Sequence, residues 1–171
     1  GTPMERDTIH RIYSMTKPIV STALMMLYEE GRFQLSDPIS HFLPEFSALR
    51  VLRTPGSPLS DTVPAEREPT IHDLLRHTAG FGHGDRPSES AVDAAYLAAD
   101  LFDPDSTLTD MMSKLAQIPF RHQPGTIWDY SISADVQARL IEILSGMSLE
   151  TFLQSRLFDP LGMADTGYWT K

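Results

Sequence analysis

The sequence predicts a mainly α-helical chain, and three observations indicate this. Apolar residues recur at helical spacing, first at Val20, Leu24 and Leu27, which places them on one side of a helix. Typical capping residues such as Thr70 and Ser148 precede further helical segments. Strand signals are nearly absent. With 171 residues, of which 41% are hydrophobic, the chain can bury a core as one domain or as part of one.

The first helix is predicted over residues 14–30. Pro18 falls in its first turn, where the missing N–H costs nothing, and Gly31 supplies the C-terminal stop. Met25 and Met26 add apolar side chains away from the main apolar stripe, so little polar surface is left. A helix that is apolar nearly all round is expected to be central and buried.

The next part of the chain is predicted to be mostly irregular, because prolines interrupt residues 32–69 repeatedly. We expect a short helix around residues 38–42 and an exposed loop over residues 54–68. Residues 77–84 contain three glycines, which should break any helix that reaches them.

The rest of the chain is predicted to be helical with short connections. Thr70 caps a brief helix that extends to Arg76, and Asp73 stands at its third position, where a carboxylate favours the helix dipole. Gly146 ends one later helix and Ser148 caps the next. The further predicted helices cover residues 89–102, 109–117, 131–145 and 149–157. Short extended segments are candidates at residues 8–13 and 167–170.

Composition excludes several classes of function. The net charge of -9 and the lack of a basic run argue against a nucleic-acid partner or an anionic membrane surface. Without cysteine the chain has no disulfide, thiol nucleophile or thiolate metal site. No apolar run is long enough to span a bilayer, and the first residues lack the apolar core of a signal peptide. The sequence thus predicts a soluble protein, with upstream sequence expected because Gly1 is not a natural start.

Ser14 and Lys17 are the most informative pair of residues. Residues three apart on a helix share a face, so the lysine amine can lie beside the serine hydroxyl. A serine hydroxyl needs an adjacent base to become a good nucleophile, and lysine, unlike arginine, can lose its proton in a suitable environment. The chain has three lysines against eleven arginines. The alternative is that Ser14 is only a helix cap.

Tyr130 is the second candidate, because a Pro-Gly turn brings it to the start of a predicted helix. A nearby ammonium favours the charged form of a phenol, which can then relay a proton; packing in the core is the alternative. His77 is expected to bond free carbonyls at a helix end, and Asp129 to be solvated or turn-forming. Spacing predicts no metal site for the remaining histidines considered, His72, His83 and His122.

Together these residues resemble the serine β-lactamase-like and penicillin-binding proteins, in particular class C β-lactamases and, more closely, family VIII carboxylesterases. The motifs that carry the resemblance occur in the same order and at similar spacing: Ser14-x-x-Lys17, LLRHTAG at residues 74–80, PGT at residues 124–126, and Tyr130-Ser131. Each motif is weak alone, but their combination is specific and extends over essentially the whole chain.

The resemblance implies a role for each candidate residue. Ser14 would be the acylated nucleophile, with its backbone N–H supplying half of an oxyanion hole, Lys17 its activator and Tyr130 the proton carrier. Ile132 and Trp128 are the candidate substrate-binding residues, with packing as the alternative for Trp128. Class C β-lactamases carry asparagine where this chain has Ile132, which favours the esterase branch. No metal or organic cofactor is implied.

The resemblance also implies an α+β parent fold, an antiparallel sheet with a helical lobe. The third active-site motif of these proteins, Lys-Thr-Gly or a variant, does not occur in the chain. Residues 1–171 are therefore expected to be the helical portion of a single β-lactamase-like domain, incomplete at both ends. The expected activity is hydrolysis of a small carboxylic ester through an acyl-serine intermediate. The alternatives are β-lactamase or D-amino-acid peptidase activity on amide bonds, and a catalytically inactive binding relative or fragment.

Overall fold

The computed structural model describes residues 3–84 and 90–168, and this part of the chain is mostly helical, as predicted. The helices are α1 (Thr16–Glu29), α2 (Ile71–Leu75), α3 (Ala91–Ala98), α4 (Leu108–Leu115), α5 (Ser133–Ser145) and α6 (Leu149–Leu153). The strands are β1 (Arg50–Leu52) and β2 (Thr62–Pro64). Short 3-10 turns cover Tyr13–Met15, Ile39–His41 and Pro44–Phe46, and a π-helical turn covers Gln154–Phe158.

The core is organised around α5, against which α1, α2, α4 and α6 all pack. Gln137 of α5 is 1% exposed and joins three of these helices. Its side-chain oxygen accepts a hydrogen bond from Ser21 Oγ of α1 at 2.8 Å, and its Nε2 donates to the Leu74 carbonyl of α2 at 3.1 Å. A buried amide needs such partners, and here they hold α1 and α2 at set positions on α5.

Helix α1 buries a single apolar stripe rather than its whole circumference. Val20, Leu24 and Leu27 are buried, whereas Met25 and Met26 are half-buried. The expectation that α1 is buried nearly all round is therefore wrong for the described residues, because the packing of α5 covers one side of it.

The helix ends follow the sequence signals closely. Gly31 has a φ of +71°, and its N–H donates to the Tyr28 carbonyl at 2.9 Å, so a left-handed residue ends α1 as predicted. Ser148 caps α6 by accepting from the Thr151 N–H, and Gly146 ends α5 with a φ of +71°. The helix predicted over residues 89–102 begins after the cap Ser90 and ends at Ala98; residue 89 lies outside the described residues.

The small sheet is the main departure from the predicted elements. Val51 of β1 pairs with Val63 of β2 in antiparallel register, so residues 54–68 are not all loop. Phe120 adds a parallel bridge to Val51. Strands of three residues are too short to show an alternating pattern. The candidate extended segments form no strand over residues 8–13 or at residues 167 and 168, and residues 169 and 170 lie outside the described part.

Candidate active site

Ser14 and Lys17 lie together where α1 begins. Ser14 is in the 3-10 turn that leads into α1, and its Oγ lies 3.5 Å from Lys17 Nζ. This distance is at the outer limit of a hydrogen bond. Ser14 is exposed and Lys17 half-buried. Tyr13 directly before them has a φ of +44°, an uncommon conformation for a residue with a side chain.

Tyr130 approaches this pair from a distant part of the sequence. Lys17 Nζ lies 4.9 Å from the centre of the Tyr130 ring, a cation–π distance. Tyr130 is half-buried. The structure thus brings Ser14, Lys17 and Tyr130 together around one ammonium group, with the serine on the exposed side.

The segment from His77 to Gly82 holds the backbone around Tyr130. The His77 carbonyl accepts from the Asp129 N–H at 2.9 Å, and the Gly82 carbonyl accepts from the Ile132 N–H at 3.2 Å. These bonds fix the chain on both sides of Tyr130. A backbone hydrogen bond therefore joins His77 of the LLRHTAG motif to Asp129, directly before the Tyr130-Ser131 motif, a contact that no sequence pattern indicated.

Two imidazole rings pack against Tyr130. The ring centre of His77 lies 4.9 Å from that of Tyr130, and the ring centre of His83 lies 5.2 Å from it. Burial, the Lys17 charge and His83 lower the pKa of His77, which outweighs the opposing effect of Asp129. The bonds predicted from His77 to helix carbonyls are wrong, since its Nδ1 contacts Ser131. No signal in the sequence indicated that His83 belongs to this cluster.

The two candidate substrate-binding residues lie in different surroundings. Trp128 is 66% exposed, and its ring centre is 6.5 Å from that of Tyr130, so it borders the open side of the candidate site. Ile132 is 4% exposed and belongs to the hydrophobic core. Ile132 therefore has a packing role, and contact of either side chain with substrate stays a prediction.

A network of charged groups lies behind the tyrosine. The Asp129 carboxylate lies 3.3 Å from Arg121 Nη1 and 3.1 Å from His122 Nε2. Asp93 is 1% exposed, and its carboxylate accepts from the N–H of His83 at 2.8 Å. Burial lowers the pKa of His122, although the Asp129 carboxylate acts in the opposite direction. Asp129 is therefore an ion-pair partner, and the expectation of a solvated carboxylate is wrong.

Asp73 anchors the helix that leads into this site. It forms a capping box with Thr70, the predicted cap, but it is also 1% exposed and is paired with Arg67 at 2.6 Å and with Arg76 at 2.9 Å. Burial alone would raise the pKa of Asp73, but hydrogen bonds from Arg67, Thr70, Arg76 and Thr78 outweigh it and hold that pKa well below its usual range. The carboxylate therefore remains ionised in the interior.

A cavity of about 480 Å³ opens beside Lys17, lined by α1, by α5 and by the start of α6. Val20 and Ala138 contribute apolar walls, and Asp135 is among the acidic residues that line it. Burial raises the pKa of Asp135, and the positive charge of Lys17 opposes this shift.

The described residues include neither a candidate metal cluster nor a helix that could cross a membrane. No cluster of three histidine, aspartate or glutamate residues within 3–84 and 90–168 is arranged to hold a metal ion. In the same ranges no helix has the length and apolar character needed to cross a membrane.

The whole chain is similar to known proteins. Residues 1–171 match the sequence profile of the family described as Beta-lactamase. Protein Rv1367c of Mycobacterium tuberculosis is 38% identical over 170 residues, which cover 99% of this chain and 41% of that protein. Esterase EstB of Burkholderia gladioli is 34% identical over 169 residues, which cover 98% of this chain and 40% of that protein.

A solved structure agrees with these matches. EstCE1, described as a hydrolase with promiscuous acyltransferase activity, superposes with a TM-score of 0.80 at 29% identity, and the superposition covers 98% of this chain and 42% of that one. The chain thus spans about two fifths of the length of the proteins it matches.

Proposed function

The chain belongs to the Beta-lactamase family, and from this premise we propose that it carries the nucleophile of a serine hydrolase acting on carboxylic esters. The observation that supports the proposal most directly is the position of Lys17, with its ammonium 3.5 Å from Ser14 Oγ and 4.9 Å from the Tyr130 ring centre. A nucleophile, an activating amine and a phenol within reach of one another form the set that acyl transfer requires.

In the proposed reaction, Ser14 Oγ forms a bond to the ester carbonyl carbon while its proton passes to Tyr130, whose charged phenolate form the adjacent Lys17 ammonium favours. The tetrahedral intermediate then collapses, and the bond to the alcohol oxygen breaks. Tyr130 carries the proton to the departing alcohol. Water next attacks the acyl-serine, which releases the carboxylic acid and restores the Ser14 hydroxyl. No cofactor takes part in these steps.

We also propose that residues 1–171 are the helical portion of one β-lactamase-like domain. The matched proteins are more than twice as long as this chain, which supports the view that further active-site groups come from other parts of the polypeptide. Ester specificity is supported by Ile132, an apolar residue where class C β-lactamases have asparagine, and by the name of the relative EstB. Cleavage of β-lactam or peptide amides is the second activity to test.

The test is made on the full-length polypeptide that contains this chain. Intact mass and turnover are measured with p-nitrophenyl butyrate and, separately, with a cephalosporin. Ser14→Ala should abolish the butyryl adduct and the turnover. Ser113→Ala is the matched control, because the exposed Ser113 of α4 donates its Oγ proton to the Thr109 carbonyl and does not line the cavity beside Lys17, so it should not be acylated.

The role of Lys17 is tested in the same preparation. Lys17→Ala should strongly lower the rate at which a fluorophosphonate labels Ser14, while the free energy of unfolding changes little. Lys114→Ala is the control, since Lys114 Nζ donates to the Asp100 carbonyl away from Ser14.

Each alternative predicts a different result. Opening of the cephalosporin ring would move the assignment to a β-lactamase. An absence of adducts with both substrates in folded wild-type protein would favour an inactive binding relative. A loss of folding in Lys17→Ala as large as its loss of labelling would make the lysine structural.

A further inference from the structure

The His77 imidazole occupies an unusual position between α2 and the Tyr130 segment. Its backbone has a φ of +56°, and its side chain is half-buried. Histidine is among the residues that tolerate this left-handed conformation better than most. The conformation ends α2 and directs the chain toward the Tyr130 segment.

The hydrogen bond to Nδ1 defines the protonation state of the ring. The Ser131 N–H donates to His77 Nδ1 at 3.2 Å, so this nitrogen must carry a lone pair. A neutral imidazole then carries its proton on Nε2. Ser131 Oγ also lies 3.3 Å from Nδ1 and 2.8 Å from Ser133 Oγ, which links the ring to the start of α5.

His77 therefore contacts Tyr130 and both of its neighbours in the chain. Its carbonyl accepts from the Asp129 N–H, its Nδ1 accepts from the Ser131 N–H, and its ring packs on the Tyr130 ring, over which Lys17 Nζ also lies. We propose that neutral His77 is a positioning residue that holds Tyr130 beside Lys17, and that a proton on Nδ1 releases the Ser131 N–H and loosens the tyrosine. This inference rests on the proposed function of Tyr130.

The charged groups around His77 are consistent with a neutral ring. Burial is the largest effect that disfavours a charged His77 ring, and Lys17 of α1 and then His83 act in the same direction. Asp129 is the facing group that favours protonation, and it also interacts with Arg121 and His122. The result is a lowered pKa for His77, so the ring keeps its acceptor nitrogen at neutral pH.

Two substitutions separate the acceptor from the ring. His77→Phe keeps an aromatic ring against Tyr130 but has no acceptor, whereas His77→Asn keeps an acceptor oxygen near the Nδ1 position and tolerates the left-handed backbone. We expect His77→Phe to lower the rate of Ser14 labelling by about 10- to 100-fold at neutral pH, as for a misplaced catalytic group. His77→Asn should recover part of this rate. His72→Phe, on an exposed histidine of α2, should leave the rate unchanged.

The pH profile distinguishes positioning from a merely structural role. The wild-type labelling rate should fall on the acid side as His77 takes up its proton, and His77→Asn should shift this fall to lower pH because asparagine does not titrate. Equal rates in wild type and His77→Phe, or the same acid limb in wild type and His77→Asn, would overturn the inference.

NMR provides a readout that is independent of catalysis. The imidazole 15N shifts of wild-type protein should show an unprotonated Nδ1 at neutral pH, and the Ser131 amide and Tyr130 ring signals should move when His77 titrates. A protonated Nδ1, or Tyr130 signals that do not respond, would refute the role of His77 even if the variants do not fold. Wild-type protein that shows the expected shifts but never labels at Ser14 would contradict the proposed function and leave the positioning of Tyr130 intact.

Discussion

Replacement of Asp73 by asparagine is the sharpest test of how this fold is stabilised. The side chain is 1% exposed, and each carboxylate oxygen accepts three hydrogen bonds. Oδ1 accepts from Arg67 Nη2, Arg76 Nη2 and Thr78 Oγ1, and Oδ2 accepts from Arg67 Nη1 and from the N–H and Oγ1 of Thr70. Asparagine has nearly the same size, so Asp73→Asn leaves no cavity. It removes the negative charge and turns one acceptor into an NH₂ group that faces donors.

The expected loss is large. Breaking a buried ion pair from one side costs about 3–5 kcal/mol. The side chains of Arg67 and Arg76 are 44% and 47% exposed, so both can be hydrated again when the carboxylate is lost. We therefore expect a loss of about 3 kcal/mol in the free energy of unfolding, the lower end of that range. The free energy of unfolding is measured by urea denaturation.

Asp110→Asn is the matched control, because Asp110 forms the same capping box with Thr107 but is exposed and has no arginine partner in the described structure. Its substitution should have a much smaller effect. Similar losses in the two variants, or a loss in Asp73→Asn below about 1 kcal/mol, the value of one ordinary hydrogen bond, would refute the reasoning.

The stability difference between wild type and Asp73→Asn should change with pH in a definite direction. Since the pKa of Asp73 is lowered in the folded state, its contribution is fully present above about pH 5. It is lost as the pH falls through the unfolded and then the folded pKa. The difference between wild type and Asp73→Asn should therefore be constant from neutral pH to about pH 5 and shrink below it. A difference that grows in acid would contradict this assignment.

Three further predictions concern packing and the buried histidines. Gly80→Ala should destabilise the protein by roughly 2 kcal/mol or more, because Gly80 has a φ of +101° and the added Cβ would lie 2.3 Å from the His122 carbonyl oxygen. Thermal melts measure the loss. Gly56→Ala is the control, because there is open space around Gly56. Gln137→Leu should lower the free energy of unfolding, measured in urea, by about 1–3 kcal/mol, since it leaves the Leu74 carbonyl and the Ser21 hydroxyl without their partner. A loss no larger than that of Gln117→Leu, at an exposed position, would argue against a bridging role for Gln137. The pKa values of His77 and His122 are lowered in the folded state, so the folded state binds fewer protons near pH 6 than the unfolded state does. The free energy of unfolding should therefore fall as the pH drops below about 6.5. A free energy of unfolding that does not change with pH in this range would contradict burial of both rings in neutral form.

Local features of this protein could be predicted from the sequence. The proximity of Ser14 and Lys17 depends on helix geometry over three residues, and the sites of Gly31, Gly146 and Ser148 depend on caps formed within one turn. The order of the motifs also indicated the family, because each motif is a short segment that can be recognised without its partners.

Contacts between distant segments required the tertiary structure. The strand pair and its bridge to Phe120 involve segments too short to show a pattern. Asp73 could be recognised as a carboxylate in the first turn of a helix, but its burial depends on Arg67 and on the packing of α2 against α5.

The same division applies to the candidate site. The sequence by itself determined which residue types are available and that Ser14 and Lys17, three residues apart, lie close together where α1 begins. Only the tertiary structure decided that Tyr130 lies over Lys17 and that His77 holds the chain on either side of that tyrosine. The physical reason is range: caps and helix faces depend on neighbours within about one helical turn, whereas the position of Tyr130 depends on the packing of segments that are far apart in the chain.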